Sequence, residues 1–266
     1  MIPRAYITEW SEFVPWQTNE QIEQDLVICR SLIELFTDDF LFDSLAFRGG
    51  TALHKLYIKP QPRYSEDIDL VQIKPEPIKK TVQRIQKQLS FLGKSSVEQK
   101  ANNTTLKFRF ESEFPPVQLL RLKVETNCRE HFSVYGHQLI PFTVKSSWFS
   151  GSCNIKTYSI EELLGTKLRA LYQRRKGRDL FDLYRAIVNY PDLDFDKIIT
   201  CYTMYMKHSV NNPPTGKMVI KNIEQKMEDD EFLGDTQALL RPDEVYNANA
   251  AFEVVQEKLL YKLLQK

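Results

Sequence analysis

The chain has 266 residues, 36 Lys+Arg against 35 Asp+Glu, and a formal net charge of +1. Near-neutrality excludes a protein drawn wholesale to nucleic acid or acidic membrane, so any basic surface has to be local. The length suits one large domain or two modest ones, no stretch approaches the roughly 20 apolar residues of a membrane helix, and the first ten residues lack the apolar run of a signal peptide. The four cysteines, Cys29, Cys128, Cys153 and Cys201, are far apart with no C-x-x-C pair, which reads as free thiols in a reducing cytoplasm rather than a zinc site or disulfide framework.

In chain order, apolar residues at Ile22, Leu26, Cys29, Leu32, Ile33 and Phe36 follow a polar start, and the spacing predicts an amphipathic helix over Asn19–Phe36. After Leu45-Ala46-Phe47 the pair Gly49-Gly50 interrupts the chain, and Thr51 to Tyr57 reads as a short helix closed by Pro60 and Pro62. Ile68 to Val71 is the first strand, followed by a helix from Ile78 to Leu92. Leu106 to Phe110 and Leu119 to Glu125 alternate apolar and charged residues, as half-buried neighbouring strands do, and an antiparallel pairing across Pro115-Pro116 is expected. From about Ser159 the pattern is helical: Ile160–Gln173, Asp179–Asn189, Phe195–His208, Gly216–Asp230 and Pro242–Leu264. The expected organisation is therefore an α/β (α+β) lobe with a mixed sheet over residues 1–158 and a mainly helical lobe over 159–266, with no internal repeat.

Three groups of residues carry chemistry. Asp67 and Asp69 on one strand share a face because side chains alternate, so both carboxylates can hold one cation; the plain alternative is a solvated strand edge. Leu70-Val71 directly after them belongs in the sheet, which sets the acids beside a core where like charges repel unless a cation intervenes, and Mg²⁺ suits such a set. Glu125 is a candidate third carboxylate, or equally a surface acid paired with Lys123 or Arg121. Gly49-Gly50-Thr51 opens a helix where backbone N–H groups can approach phosphate, or is an ordinary turn and cap. Lys167, Arg169, Arg174, Arg175, Lys176 and Arg178 form a basic cluster. It reads as a solvated face, a contact for a nucleic-acid backbone, or a source of cations for a triphosphate. Asp179 and Asp182, spaced i,i+3, are placed to orient those cations. His54, His131, His137 and His208 have no ligand spacing, and Trp10, Trp16 and Trp148 read as core.

Phe47-Arg48-Gly49-Gly50-Thr51-Ala52-Leu53, with Arg63-Tyr64-Ser65-Glu66-Asp67-Ile68-Asp69-Leu70, resembles the AbiEii/AbiGii toxin family of nucleotidyltransferases. Glu162 to Leu171 and Arg178-Asp179-Leu180-Phe181-Asp182-Leu183-Tyr184 resemble it too, so the match spans about residues 47 to 184. The resemblance implies a lobe like that of the DNA polymerase β superfamily with a helical second lobe. It implies that Gly49, Gly50 and Thr51 touch nucleotide phosphates; that Asp67 and Asp69, with Glu125, hold magnesium; that Lys167 contacts the triphosphate; and that Asp179 is a further active-site acid. It also implies an NTP substrate, a tRNA 3′ end as acceptor, a role in toxin–antitoxin or phage-defence systems and a cognate antitoxin. Apart from the resemblance, Arg178 of the basic cluster is a second cationic partner for a triphosphate, and Ser65 is a further nucleotide-binding candidate. Threonine stands where the superfamily often has serine after the glycine, and keeps the hydroxyl. A phosphate on Ser65 would place negative charge next to the metal site.

The expected reaction is transfer of a nucleoside monophosphate onto an acceptor hydroxyl, with Asp69 or Glu125 helping to take the proton. Rival readings keep the fold with a protein or small-molecule acceptor, drop catalysis for nucleotide binding alone, or turn the carboxylates to phosphodiester hydrolysis. Replacing Asp67 or Lys167 by alanine is expected to remove catalysis with modest effect on folding.

Overall fold

The structure, a computed structural model, describes residues 2–264. The chain divides into two units, Met1–Tyr158 and Ser159–Lys266.

The first unit is built on a seven-stranded mixed sheet of order β3-β4-β5-β2-β1-β7-β6, with β1 Leu45–Arg48, β2 Asp67–Gln72, β3 Ser95–Lys100, β4 Asn103–Glu111, β5 Leu119–Asn127, β6 His137–Lys145 and β7 Ser150–Tyr158. Two neighbouring pairs are parallel, β2 with β5 and β1 with β7; the others are antiparallel. β4 and β5 form the hairpin that their alternation predicts, with Leu106, Phe108 and Phe110 on one strand and Leu120, Leu122 and Val124 on the other buried on the same face.

Helix α1 (Arg4–Trp10) leads to α2 (Asn19–Phe36), which lies against β5, β6 and β7 and is capped by Thr18 accepting from the Gln21 amide. Its buried surface is wider than the stripe read from spacing, since Val27, Ile28 and Leu35 are also buried: α1 covers a second side. Asp25 is buried within it and explains the two nearby tryptophans. It accepts from Trp10 Nε1 at 3.0 Å, Trp16 Nε1 at 2.9 Å and Lys55 Nζ at 2.5 Å. A buried carboxylate is tolerable only with such a set of partners. Short helix α3 (Asp39–Ser44), capped by Asp38, delivers the chain to β1.

Where sequence spacing and structure part, the reasons are local. The helix after the glycine pair starts at Gly49, as α4 (Gly49–Ala52), and runs on as one π-helical turn over Leu53–Tyr57. The next helix, α5 (Lys79–Gln88), ends early and yields to a 3₁₀ turn at Ser90–Leu92 before Gly93 at φ +81°. Strands β3, β6 and β7 carry no clean alternation: β3 and β6 are edge strands with exposed side chains, and β7 begins Ser150-Gly151-Ser152-Cys153-Asn154.

The second unit is helical: α6 (Ile160–Gln173), α7 (Gly177–Asn189), α8 (Phe195–Ser209), α9 (Gly216–Lys226), α10 (Asp230–Gly234) and α11 (Ala248–Lys258), ending in a 3₁₀ segment, Leu260–Leu264. Ser159, Asp194, Thr215 and Asn247 cap α6, α8, α9 and α11 through side-chain oxygens. The Asn247 cap explains why the last helix begins six residues beyond Pro242. Helices α6 and α8 cross closely at Gly165, where an added Cβ would lie 2.5 Å from Cys201 Cβ. Among the described residues the four thiols are free, and no helix is long and apolar enough to cross a membrane.

Candidate active site

In the first unit the sheet register aligns the acidic residues. Asp67 pairs with Lys123 and Asp69 with Glu125 across the parallel β2–β5 ladder, while Asp69 pairs with Arg48 on its other side. Register partners point to the same face, so Asp67, Asp69, Lys123 and Glu125 share one surface of the sheet.

Gly49, the first residue of α4 directly after β1, presses on this surface. Its φ is +80°, and a Cβ there would lie 2.2 Å from Asp69 Oδ2. The position therefore needs glycine twice over, for the backbone angle and for the approach to the carboxylate. At Gly50 a Cβ would meet Arg63 Nη2 at 2.6 Å and lie 3.5 Å from Ser65 Oγ. Thr51 is buried; its hydroxyl donates to the Asp67 carbonyl and lies 2.7 Å from Ser65 Oγ. It thus ties the glycine turn to the start of β2.

Lys123 Nζ is 2.8 Å from Glu125 Oε2 and 3.7 Å from Asp67 Oδ2, and Asn103 donates to Glu125 Oε1 at 2.9 Å. Burial, with the Asp69 and Glu66 charges adding, pushes the Asp67 carboxyl up to about 6 against the opposing pull of Lys123. Burial depresses the Lys123 ammonium, but Glu125 and Asp67 outweigh it and hold its pKa above the usual value.

Among the described residues no three His, Cys, Asp or Glu side chains gather as a metal cage. The donor chemistry nevertheless fits a hard cation. Two carboxylates face one way from β2, and the Lys123 ammonium already bridges Asp67 and the third carboxylate as a cationic stand-in.

In the second unit Lys167 and Asp179 are brought together. Lys167 Nζ lies 3.1 Å from Asp179 Oδ1 and 2.9 Å from Asp182 Oδ2, and all three side chains are buried. Arg174 clamps Asp179 in a fork, Nε to Oδ2 at 2.6 Å and Nη2 to Oδ1 at 2.8 Å, while half of its own side chain stays exposed. Burial works to raise the Asp179 carboxyl, yet Lys167 and Arg174 together hold it below the usual range. Arg178 is apart from this network: its backbone amide donates to Asp235 Oδ2 at 3.2 Å, and its Nε is 3.9 Å from the same oxygen.

Three residues gain a place here that spacing did not assign. Arg63 was part of the motif string and lies against Gly50; Lys123 was visible only as a possible partner of Glu125; Arg174 was one basic residue in a cluster. The signal for Lys123 was its two-residue step from Glu125 on an alternating strand.

A mixed sheet with paired aspartates on one strand, abutted by a glycine turn and accompanied by a helical unit, defines a nucleotidyltransferase fold. The chain belongs to the nucleotidyl transferase AbiEii toxin family of type IV toxin–antitoxin systems, whose model matches residues 30–258. It is thereby a nucleotidyltransferase, and membership implies an NTP substrate and an antitoxin partner. The fold is similar to that of MenT4, a nucleotidyltransferase toxin of Mycobacterium tuberculosis, with a TM-score of 0.61 and 15% identity over 100% of this chain and 90% of that one. It is also similar to JHP933 from Helicobacter pylori, with a TM-score of 0.59 and 16% identity over 94% of each chain. Among proteins of curated function none matches the sequence. The family and the mixed α/β fold expected from the motif strings are both borne out.

Proposed function

We propose that this nucleotidyltransferase moves a nucleoside monophosphate from an NTP to the 3′ hydroxyl of a tRNA in the cytoplasm, with a cognate antitoxin opposing the effect. The acceptor oxygen bonds to the α-phosphorus, the hydroxyl proton passes to a carboxylate, Asp69 or Glu125, and the bond from α-phosphorus to the bridging oxygen breaks to release pyrophosphate. The observation that carries this reading is the position of Asp69, directly opposite Glu125 and in close approach to Gly49.

Asp67 and Asp69, with Glu125 as third carboxylate, would hold Mg²⁺, which supplies Lewis-acid stabilisation of the developing phosphate charge. The backbone N–H groups of Gly49 and Gly50 would take phosphate oxygens, with the Arg63 guanidinium alongside Gly50. Ser65 faces the same glycine, whereas the Thr51 hydroxyl is engaged inward and acts by holding α4 to β2. Lys167, set between Asp179 and Asp182, is assigned on the family pattern to the triphosphate, with Arg178 as a further cation.

Purified protein incubated with each α-labelled NTP, Mg²⁺ and total tRNA tests the proposal. Label on the tRNA 3′ end that Asp67→Asn lowers by about 10²–10³ is the expected result. Label found only on protein or a small molecule would replace the acceptor and keep the reaction.

A further inference from the structure

The β4–β5 ladder carries two successive like-charge pairs, Lys107 opposite Lys123 and Arg109 opposite Arg121. Like charges directly opposite one another destabilise a sheet, so each pair needs compensation. The lysines have it: Lys107 Nζ lies 2.7 Å from Glu98 Oε2, and Lys123 is held by Glu125 and Asp67. The arginines do not. Both are exposed, and among the described residues neither guanidinium makes an ion pair or hydrogen bond. They border an open groove of about 580 Å³ with Gln24, Glu66, Leu119 and Leu120. Gln24 fixes the groove floor by donating to the Arg121 carbonyl at 3.0 Å.

Period-two alternation puts Arg121 on the same face as Lys123 and Glu125. In a chain of net charge +1 the two arginines are a local cationic spot, beside Glu66, on the sheet face that carries the candidate carboxylates.

We infer that Arg109 and Arg121 form a phosphodiester-binding platform that holds the backbone of the acceptor nucleic-acid strand as its end reaches the site. Cross-strand partners stand about 5 Å apart, which lets two guanidinium forks grip one phosphate or two neighbouring ones. Arginine suits this task because its planar fork matches phosphate oxygens in pairs. The inference rests on the nucleic-acid acceptor proposed above.

The test is anisotropy of 5′-fluorescein-labelled tRNA against the full chain at several salt concentrations. The proteins compared are wild type, Arg109→Gln, Arg121→Gln, the double variant and Lys87→Gln as an exposed charge control on α5. The double variant is expected to bind about tenfold more weakly, with the slope of log affinity against log salt shallower by about 1.5, near the value for two lost phosphate contacts. Lys87→Gln and the binding of Mg·ATP, followed with a fluorescent ATP analogue, are expected to stay unchanged. Wild-type affinity and slope in the double variant would overturn the platform and leave the tRNA acceptor standing. No binding of tRNA by the wild type would overturn both. Loss of binding to fluorescein-labelled polyglutamate, with tRNA binding retained, would reassign the spot to an acidic protein and overturn the inference.

Discussion

Asp69 and Glu125 are register partners on parallel strands, and Gly49 meets Asp69 so closely that a methyl group at that glycine would overlap the carboxylate oxygen. Asp67→Asn and Asp69→Asn each remove charge without changing volume. Transfer is expected to fall by about 10²–10³, the scale of losing one preorganised electrostatic contact, with the melting temperature close to wild type. Single-turnover transfer alongside a thermal melt checks both. Chelation by EDTA should abolish transfer, and excess Mg²⁺ should restore it.

Gly49→Ala combines a disfavoured backbone angle with displacement of Asp69. The left-handed conformation costs roughly 1–2 kcal/mol for a residue with a Cβ. Activity is expected to fall further than that stability loss accounts for, because the displaced group is a site carboxylate. Comparison of denaturant midpoint with transfer rate separates the two effects.

Lys167→Ala is not the clean control that its motif position suggests. It leaves Asp179 and Asp182 buried without their shared ammonium. Breaking a buried pair costs about 3–5 kcal/mol. Urea unfolding should reveal a destabilised second unit, and Asp179→Ala should destabilise it less, because Lys167 keeps Asp182 at 2.9 Å and the released Arg174 is half exposed. Arg174→Gln, whose side chain is half exposed, should be milder in stability. Its effect on transfer reports whether the clamp on Asp179 serves the reaction.

Stability should depend on pH through Lys226, whose ammonium donates to the carbonyls of Leu171 at 2.5 Å and Tyr172 at 2.7 Å. Burial, with Arg175 adding, pushes its pKa down to about 8 despite the pull of Asp179. Between that value and the unfolded pKa of about 10.4 the unfolded chain holds the proton that the folded chain has released. This lysine's contribution to stability therefore rises with pH across the window and is flat below it. Unfolding free energies of wild type and Lys226→Met from pH 7 to 10 should differ by that slope; parallel curves would refute it.

Ser65 Oγ lies 2.7 Å from Thr51 Oγ1 and close to Gly50, so a negative group at this position stands where nucleotide phosphates are proposed to lie. Ser65→Glu is expected to raise the apparent Kd for Mg·NTP tenfold or more, while Ser65→Ala should have a small effect. Nucleotide titration of both variants decides it.

The period-two alternation of Leu106–Phe110 and Leu119–Glu125 sufficed to pair β4 with β5, and the step from Asp67 to Asp69 sufficed to put both acids on one face, because strand side chains alternate whatever surrounds them. The motif strings located the glycine turn and the Lys167–Asp179 helix pair, and with them the family. Edge strands β3 and β6 were not legible, since a strand with little to bury has no apolar rhythm. Nor could spacing place Glu125 opposite Asp69 or set Lys123 between two carboxylates. Those relations depend on β2 lying parallel to β5, strands separated in the chain by a helix and a hairpin. The exposed Arg109–Arg121 pair has the same origin: each arginine alone is an ordinary polar strand position, and antiparallel register alone makes them neighbours. Local sequence determined which way each side chain faces; the strand order of the folded sheet decided which charges meet.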